Sequence, residues 1–408
     1  MDRAILHCDM NNFYASVECI IDPNLKDKYV AVTGSQEERH GIVLAKNTMA
    51  KNMGVQTGEA IWQAKKKCPE LVIIDHPHFE KYEEYSYKAR KIYKEYTDLI
   101  EPMGLDENWL DVTASLKLFG KPYDIAYQIK ERIKKELGLT ISVGVSFNKV
   151  FAKLGSDYKK PDAITEITRE NFKDLLWPLP AADMLGVGRS SRKVLEKYFI
   201  RTIGDIANET PERMEHLLGK NGLELYKYAN GLDEDPVKYV DEADLVKSIG
   251  HGLTTVKDLT TDEDVWKLML ELTQEIALKL RTKDLRAGGV AVAIRTSDLN
   301  RMQFQKNFKL SEQSALNIAK KAFELFKSKY TWEKPIRSVT VTAINLMSLG
   351  TPEQLTLFDE LDKKEKIEKA EKAMEDLNLR YGDEIVFNAT LYEDSNLPEN
   401  RRKIKYEK

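Results

Sequence analysis

The order in which strand-like and helix-like segments follow one another changes twice along this chain, and this order limits the folds that it can adopt. Up to residue 167, short apolar runs typical of strands alternate with amphipathic stretches typical of helices. From about Thr168 the pattern is helical only, and from Ser248 to Asn345 it predicts strand, helix, strand, strand, helix and strand. Because 408 residues exceed the size of one ordinary domain, the sequence predicts a multidomain α/β protein.

The first region predicts an α/β unit that is interrupted by one insertion. A buried strand from Ala4 to Cys8 is followed by a helix that Asn11 could cap. The insertion, residues 21–75, combines three short strands with two short helices. After it, the predicted elements are a helix at 80–99, strands at 102–105 and 109–112, a helix at 123–137, a strand at 140–147 and a helix at 149–158. Asp106 and Glu107 therefore fall at the turn between two strands.

A glycine-rich turn, Leu185-Gly186-Val187-Gly188, lies in the helical region. Such a turn in front of a helix is typical of a helix-hairpin-helix, in which exposed backbone N–H groups bind a DNA phosphate. An ordinary connection between two helices with glycine caps explains the same residues equally well. Gly186 and Gly188 are thus candidate DNA-binding positions, with a structural alternative.

Composition narrows the class of protein. Hydrophobic residues make up 42% and charged residues 32%, as in globular proteins, and no apolar stretch is long enough to span a bilayer. The first residues do not resemble a secretory signal, so a cytoplasmic location is expected. Cys8, Cys19 and Cys68 have neither CxxC spacing nor histidine partners, which argues against structural zinc and disulfides. The net charge of -3 does not by itself indicate nucleic acid.

Three carboxylates stand where metal ions could bind. Asp9 ends the first buried strand, where an uncompensated charge would be costly. Asp106 and Glu107 are neighbours at a turn, so their mutual repulsion favours a cation. Nucleotidyl transfer uses two divalent ions about 3.5–4 Å apart, and Mg²⁺ prefers oxygen ligands such as carboxylates. Simple turn chemistry also places acidic residues side by side, and the isolated pair does not exclude it.

Longer motifs around these carboxylates are more specific. They are Asp9–Glu18 (DMNNFYASVE), Leu105–Asp111 (LDENWLD) and Ser142–Ser146 (SVGVS) with Asn148-Lys149, Ala152-Lys153, Ser156-Asp157 and Lys160-Pro161-Asp162. In order and spacing they resemble the active-site motifs of the Y-family DNA polymerases, the family that contains bacterial polymerase IV and UmuC. The resemblance covers about residues 1–350 and implies template-directed, low-fidelity synthesis past DNA lesions.

The resemblance also implies a right-hand polymerase fold. A palm would comprise residues 1–20 and 76–167, and small fingers residues 21–75. A helical thumb with the helix-hairpin-helix would span 168–235, a linker 236–246, and a βαββαβ little finger 247–350. Residues 351–408 would form a C-terminal tail. The expected ligands are primer-template DNA, deoxynucleoside triphosphates and two Mg²⁺ ions, and a monomer is expected.

Individual residues take their roles from the resemblance. Asp9, the Met10 carbonyl, Asp106 and Glu107 match the metal ligands. Tyr14 matches the steric gate, an aromatic ring that lies where a ribose 2′-hydroxyl would go, although Phe13 and Tyr14 could otherwise be plain core residues. The remaining nucleotide-binding positions are Phe13, Thr48, Lys51 and Lys160, and the remaining DNA-binding candidates are Lys153, Arg286 and Arg295.

This chain departs from the family pattern at several positions. Asn11 stands where many members have a second acid, so it is not expected to bind metal. Gly104 replaces a common serine, with no expected consequence. Thr48 and Lys51 replace a tyrosine and an arginine common in polymerase IV, and lysine meets a phosphate as a point charge without the planar fork of arginine. These departures leave the subfamily open between the polymerase IV and UmuC branches.

The tail contains one apolar cluster, Gln354-Leu355-Thr356-Leu357-Phe358. It resembles the short motif with which bacterial polymerases bind the sliding clamp, with Gln354 as polar anchor and Leu355, Leu357 and Phe358 as apolar residues that need a pocket. Packing of this cluster against the preceding domain is the alternative.

Two other classes of function use part of the same pattern. A palm-like nucleotide cyclase would share the metal chemistry, but it would need neither a helix-hairpin-helix nor a clamp motif. A non-catalytic DNA-binding or clamp-binding relative would be expected to lack a carboxylate, and all three are present. Metal-dependent incorporation on a primed template distinguishes these possibilities.

Overall fold

The computed structural model describes residues 2–34, 41–240, 246–354, 361–382 and 385–391. Residues 2–34 and 42–240 belong to one compact unit, and the described residues from 246 onward belong to a second. In these ranges no helix has the length and apolar character that crossing a membrane requires.

The first unit combines two sheets with a helical region. Its strands are β1 (Ile5–Met10), β2 (Val30–Thr33), β3 (Val43–Lys46), β4 (Val72–Ile74), β5 (Ile100–Met103), β6 (Glu107–Asp111), β7 (Ile141–Ser146) and β8 (Ile164–Ile167). Its helices are α1 (Phe13–Ile21), α2 (Thr48–Asn52), α3 (Ile61–Lys67), α4 (Phe79–Lys94), α5 (Leu116–Phe119), α6 (Pro122–Arg132), α7 (Lys149–Tyr158), α8 (Phe172–Leu176), α9 (Arg189–Lys197), α10 (Ile203–Asn208), α11 (Pro211–Leu218) and α12 (Lys220–Ala229).

The larger sheet has the strand order β5-β6-β1-β7-β8, with β1 at its centre. Every residue of β1 is buried, because helices cover both faces of the sheet. Leu6, Cys8 and Met10 point into a core that α4 and α6 complete. The alternate residues of β1 face α7, where His7 contacts Ser156. Since side chains alternate along a strand, Asp9 lies on the α7 face.

Close packing of α7 against β7 depends on one glycine. A Cβ atom on Gly144 would lie 1.8 Å from the carbonyl oxygen of Ala152 and 2.5 Å from the amide nitrogen of Ser156. Only glycine lets the helix backbone approach the strand this closely. Gly144 pairs with His7 of β1, so the contact lies two residues from Asp9 along the central strand.

The smaller sheet has the order β3-β2-β4 and packs with α2 and α3 around a small core of its own. The helices α8 to α12 form a third core, to which Phe147, Phe151 and Leu154 also contribute. These three residues come from the end of β7 and from α7, so α7 is shared between the large sheet and the helical region.

The second unit has the predicted order of strands and helices. It consists of β9 (Ser248–Leu259), α13 (Asp262–Thr282), β10 (Leu285–Thr296), β11 (Arg301–Glu312), α14 (Ala315–Lys329), β12 (Ile336–Ser348) and α15 (Leu361–Tyr381). Its sheet is antiparallel, in the order β11-β10-β12-β9. Val290, Val292 and Ile294 of β10 belong to the core with α13 and α14, so by alternation Ala291 and Arg295 lie on the other face.

The helix α15 lies in the C-terminal tail and packs against the rest of the second unit. Its Glu371 accepts hydrogen bonds from Ser314 Oγ at 2.8 Å and from the amide nitrogens of Ala315 and Leu316 at 2.9 and 3.0 Å. The carboxylate therefore caps the start of α14, where a negative charge is stabilised. Glu375 of the same helix forms an ion pair with Arg281 of α13. The part of the tail that forms α15 is therefore attached to the rest of the second unit.

Candidate active site

The three predicted carboxylates meet at one end of the large sheet. Asp9 of β1 pairs directly with Glu107 of β6 in the antiparallel register. Asp106 is the last residue of the turn between β5 and β6, and its carbonyl accepts a hydrogen bond of 3.0 Å from the amide of Met10. The turn was predicted to hold both acids, but Glu107 already belongs to β6. The strand pairing therefore fixes the backbone of all three.

Burial and neighbouring charges change the proton affinity of these acids. Asp9 is 5% exposed, and burial raises its pKa to about 6 although the ammonium group of Lys160 favours the ionised form. Burial also raises the pKa of Asp106. Burial acts in the same direction on Glu107, but its contacts with His7 and Lys153 outweigh it and lower the pKa to about 2.

Two lysines lie against the carboxylates. Lys160 Nζ contacts Asp9 Oδ2, and Lys153 Nζ contacts Glu107 Oε2. With the side chains in these positions, the described residues contain no three Asp, Glu, His or Cys side chains close enough to hold one metal ion. The donor set still fits Mg²⁺, because it consists of hard oxygen atoms whose mutual repulsion a cation relieves. The ammonium groups provide part of that compensation here.

The predicted steric gate lies beside this cluster. Tyr14 lies on α1, which begins four residues after Asp9, and burial raises the pKa of Tyr14, with a further contribution from the negative charge of Asp106. The ring of Tyr14 stacks on Tyr82 with centroids 4.3 Å apart and planes 10° apart, and it meets Phe79 edge-on. Phe13 is 3% exposed and packs in the core. Its ring therefore serves packing, whereas Tyr14 is only partly covered.

The predicted phosphate-binding residues come from both sides of the cluster. Thr48 begins α2, and its hydroxyl accepts a hydrogen bond of 2.9 Å from the amide group of Asn12. Lys51 is exposed on the same short helix. Lys160 follows α7 and reaches Asp9. The inserted region and the large sheet thus meet at the predicted nucleotide site.

Lys153 and the glycine-rich turn line a common cavity of about 410 Å³. Gly186 has a φ of 90°, in the left-handed region that favours glycine. Gly188 precedes the first residue of α9 and has open space on its Cβ side. Both predicted glycines and the predicted lysine therefore border one surface, which is the arrangement that an exposed backbone anion site needs.

The two predicted DNA contacts of the second unit differ in environment. Arg295 is exposed on the sheet face opposite the helices. Arg286 forms an ion pair of 3.3 Å with Glu368 of α15, so part of its charge is already compensated. Of the predicted clamp motif, Gln354 is described, whereas Leu355, Leu357 and Phe358 lie outside the described residues.

Sequence reasoning missed three residues that support the site. His7 Nε2 lies 3.3 Å from Glu107 Oε2, and its Nδ1 lies 2.8 Å from Ser156 Oγ. Glu18 and Tyr82 lie behind Tyr14 and contact each other. His7 was detectable because it stands two residues before Asp9 and shares its strand face. Tyr82 was not, because nothing in the sequence pairs α4 with α1.

Comparison with known proteins gives consistent matches over nearly the whole chain. The model of the impB/mucB/samB family matches residues 8–157, and that of the impB/mucB/samB family C-terminal domain matches residues 246–357. DNA polymerase IV of Acetivibrio thermocellus is 46% identical over 397 residues, which are 97% of this chain and 99% of that protein. DNA polymerase IV 1 of Bacillus subtilis is 35% identical over 385 residues, covering 94% and 92%.

A solved structure has a similar fold. The Y-family DNA polymerase chimera Dbh-Dpo4(243-245)-Dbh aligns with a TM-score of 0.74 at 24% identity, covering 85% of this chain and 99% of that one. At this identity the similarity concerns the fold.

Proposed function

This chain belongs to the Y family of DNA polymerases, and we propose that it extends DNA primers past lesions by two-metal nucleotidyl transfer at Asp9, Asp106 and Glu107. It is a template-directed, low-fidelity DNA polymerase, and membership of the family implies dependence on divalent metal ions. The observation that carries the proposed site is the pairing of Asp9 with Glu107 across β1 and β6, next to Asp106.

The residues of this chain have separate tasks in the proposed reaction. Asp9, Asp106, Glu107 and the carbonyl of Met10 would hold two Mg²⁺ ions, which would supply Lewis-acid activation of the primer hydroxyl and stabilise charge on the phosphates. Lys160, Lys51 and Thr48 bind the triphosphate.

Lys153, which lies against Glu107, is suited to the primer terminus or a phosphate. All the cations act by position and charge, as expected for phosphoryl transfer.

Sugar selection is assigned to Tyr14. Its ring is partly exposed beside Asp106 and rests on Tyr82. A 2′-hydroxyl on the incoming nucleotide would collide with it, so the site rejects ribonucleotides through a clash. Because Phe13 is almost wholly buried, its side chain is assigned to the core, and only its main chain is left to meet a nucleotide.

The domains of the family architecture are assigned here to ranges of this chain. We assign the palm to residues 1–20 and 76–167, the fingers to 21–75, the thumb to 168–235 and the little finger to 247–350, with a linker at 236–246. The described part of the fingers then contains the three-stranded sheet, α2, α3 and a short 3-10 helix at Pro23–Leu25. So small a domain places little bulk on the nascent base pair, which suits a permissive active site.

DNA is held at two proposed surfaces, one in each unit. In the first unit, the turn with Gly186 and Gly188 offers backbone N–H groups to a phosphate. In the second unit, the proposed surface is the face of the sheet opposite the helices. A Cβ on Gly252 would lie 2.3 Å from Thr340 Oγ1, and Arg295 is exposed on this face. Such a surface suits a phosphate backbone and contributes salt-dependent affinity without base preference.

Recruitment is assigned to residues 354–358, which we propose bind a sliding clamp. A polymerase with small fingers and nonspecific DNA contacts benefits from a tether, because the tether raises its local concentration at the primer end. We also propose that the chain acts as a monomer in the cytoplasm.

The proposed chemistry is tested by primer extension. The purified protein, a primed template and a single deoxynucleoside triphosphate are mixed with Mg²⁺, in four reactions that differ only in the first template base. Incorporation that follows the template base and stops when the metal is chelated is expected. Metal-dependent formation of a cyclic nucleotide without primer extension would overturn the proposal.

A further inference from the structure

Behind the Tyr14 ring lies a buried carboxylate that the proposed chemistry does not use. Glu18 is 2% exposed and stands one helical turn after Tyr14 on α1, so the two side chains share a face of the helix. It accepts hydrogen bonds from the hydroxyl of Tyr82 and from the amide nitrogen of His78, at 3.2 Å for the latter. His78 Nδ1 lies 3.0 Å from the same carboxylate.

Tyr82 connects this carboxylate to the gate. Its side chain is fully buried, and its ring stacks on Tyr14 with centroids 4.3 Å apart. Its hydroxyl donates a hydrogen bond to the carboxylate of Glu18. Phe79 meets the rings of Tyr14 and Tyr82 edge-on, at 6.0 and 5.5 Å. Tyr14 therefore cannot tilt back toward α4 unless Tyr82 moves, and Tyr82 cannot move without losing its bond to Glu18.

The rigidity of this support bears on sugar selection. A steric gate excludes ribose only to the extent that the Tyr14 ring resists displacement. If the ring moves easily, the 2′-hydroxyl is accommodated at a small cost in free energy. The free energy that resists displacement includes the hydrogen bond between Tyr82 and Glu18, and hydrogen bonds to charged groups are the stronger ones. A deoxyribose does not collide with the Tyr14 ring, so incorporation of a deoxynucleotide does not depend on how rigidly the ring is held.

We propose that Glu18 is a positioning residue for sugar selection, which fixes Tyr82 and through it the steric gate Tyr14. The inference rests on the proposed function of Tyr14. Glu18 and Tyr82 touch neither the carboxylate cluster nor the predicted phosphate-binding residues in the contacts described above. Their loss should therefore change the choice between sugars more than the rate with the correct nucleotide.

The test compares two variants that each lose one buried tyrosine hydroxyl on α4. Tyr82→Phe keeps the stacked ring but removes its bond to Glu18. Tyr93→Phe is the matched control, because Tyr93 is also fully buried in the same core and its hydroxyl has no hydrogen-bond partner among the described residues. The measured quantity is the ratio of incorporation efficiencies for a ribonucleotide and the matching deoxynucleotide in single-turnover primer extension, with thermal unfolding as a check on folding.

Tyr82→Phe is expected to raise the ribonucleotide-to-deoxynucleotide ratio by about tenfold, because this is the factor that corresponds to the loss of one hydrogen bond to a charged group. Tyr93→Phe should leave the ratio unchanged. Glu18→Leu should raise the ratio as Tyr82→Phe does, whereas Glu18→Gln, which keeps an acceptor for the hydroxyl, should restore most of the discrimination. General loss of stability lowers both efficiencies together and leaves their ratio constant, so it does not imitate this pattern.

Tyr14→Ala separates failure of this inference from failure of the proposed gate. If Tyr14→Ala changes the ratio and Tyr82→Phe behaves like Tyr93→Phe, Glu18 is a structural residue only and the inference is overturned. If Tyr14→Ala also leaves the ratio unchanged, Tyr14 is not the gate, and both assignments fall. Tyr82→Phe is a small change, so the test does not depend on the folding of Glu18→Leu.

Discussion

Replacing Gly144 with alanine should damage stability and catalysis together. The added Cβ would lie 1.8 Å from the carbonyl oxygen of Ala152, and ordinary contact needs about 3.4 Å, so α7 must retreat from β7 by roughly 1.5 Å. Both atoms that the Cβ meets first are backbone atoms, which cannot rotate away. Overpacking of this kind costs about 1–3 kcal/mol, or more where relief is difficult, and we expect the upper end of that range.

The retreat of α7 also moves the cations of the site. Lys153 lies on α7 and Lys160 follows it, and both contact the proposed metal ligands. Since a misplacement of about 1 Å can cost about 100-fold in rate, we expect a loss of that order. A destabilisation of about 3 kcal/mol should lower the unfolding temperature of a unit of this size by roughly 6–12 °C.

Thermal unfolding by circular dichroism and primer extension at saturating DNA and nucleotide measure the two effects. Gly350→Ala is the control, because a Cβ there meets no atom of the described residues within 4 Å. If Gly144→Ala has the unfolding temperature and extension rate of the Gly350→Ala control, the backbone of α7 does not pack against β7 at Gly144 as closely as described.

Three further predictions concern sugar selection, DNA binding and clamp binding. Tyr14→Ala should increase ribonucleotide use far more than it decreases deoxynucleotide use, measured as competing incorporation on one template, and equal effects on both sugars would contradict the gate. Arg301 of β11 is exposed and pairs with Arg295 across the sheet. Arg295→Ala and Arg301→Ala should each weaken DNA binding uniformly across sequences and lower the slope of log affinity against log salt by about one. An unchanged slope, measured by fluorescence anisotropy, would show that this face of the sheet does not contact DNA. The combined variant Gln354→Ala, Leu357→Ala and Phe358→Ala should abolish clamp-stimulated extension, whereas basal extension should persist. A clamp affinity equal to that of the unaltered chain would contradict the assignment of residues 354–358 to clamp binding.

Patterns of short range predicted much of this fold. The helix from Lys149 to Tyr158 was predicted with its observed ends, because Asn148 caps it through a bond to the amide of Phe151 and its apolar face repeats at helical spacing. The order of elements in the second unit was also confirmed. Both features are encoded by neighbouring residues, which a single sequence displays.

Errors arose where tertiary contacts override local signals. Asn11 was expected to cap the first helix, but its amide bonds to Thr140 and extends the sheet pairing, so α1 begins only at Phe13. The helix predicted to reach Leu99 ends at Lys94. Strand β8 was not predicted, because it is defined by parallel pairing with β7 and lacks a strong pattern of its own.

The candidate site was predictable only in part. Asp9 and Glu107 were selected from motifs, and the register that places them opposite each other follows from strand pairing. Their contacts with Lys160 and Lys153 join residues that lie far apart in the sequence, and no local pattern specifies them. The bond between Glu18 and Tyr82 is of the same kind.

Asp106, with Asp9 and Glu107, is proposed to hold the metal ions of nucleotidyl transfer. The direct measurement is single-turnover incorporation of one deoxynucleotide by Asp106→Ala at saturating Mg²⁺, beside Asp75→Ala, which removes an exposed aspartate from the same unit. Asp106→Ala should lose about 10³-fold or more in rate, with the circular dichroism and DNA affinity of the unaltered protein, whereas Asp75→Ala should extend normally. Extension by Asp106→Ala at the rate of Asp75→Ala would show that Asp106 does not hold a metal ion that the reaction needs.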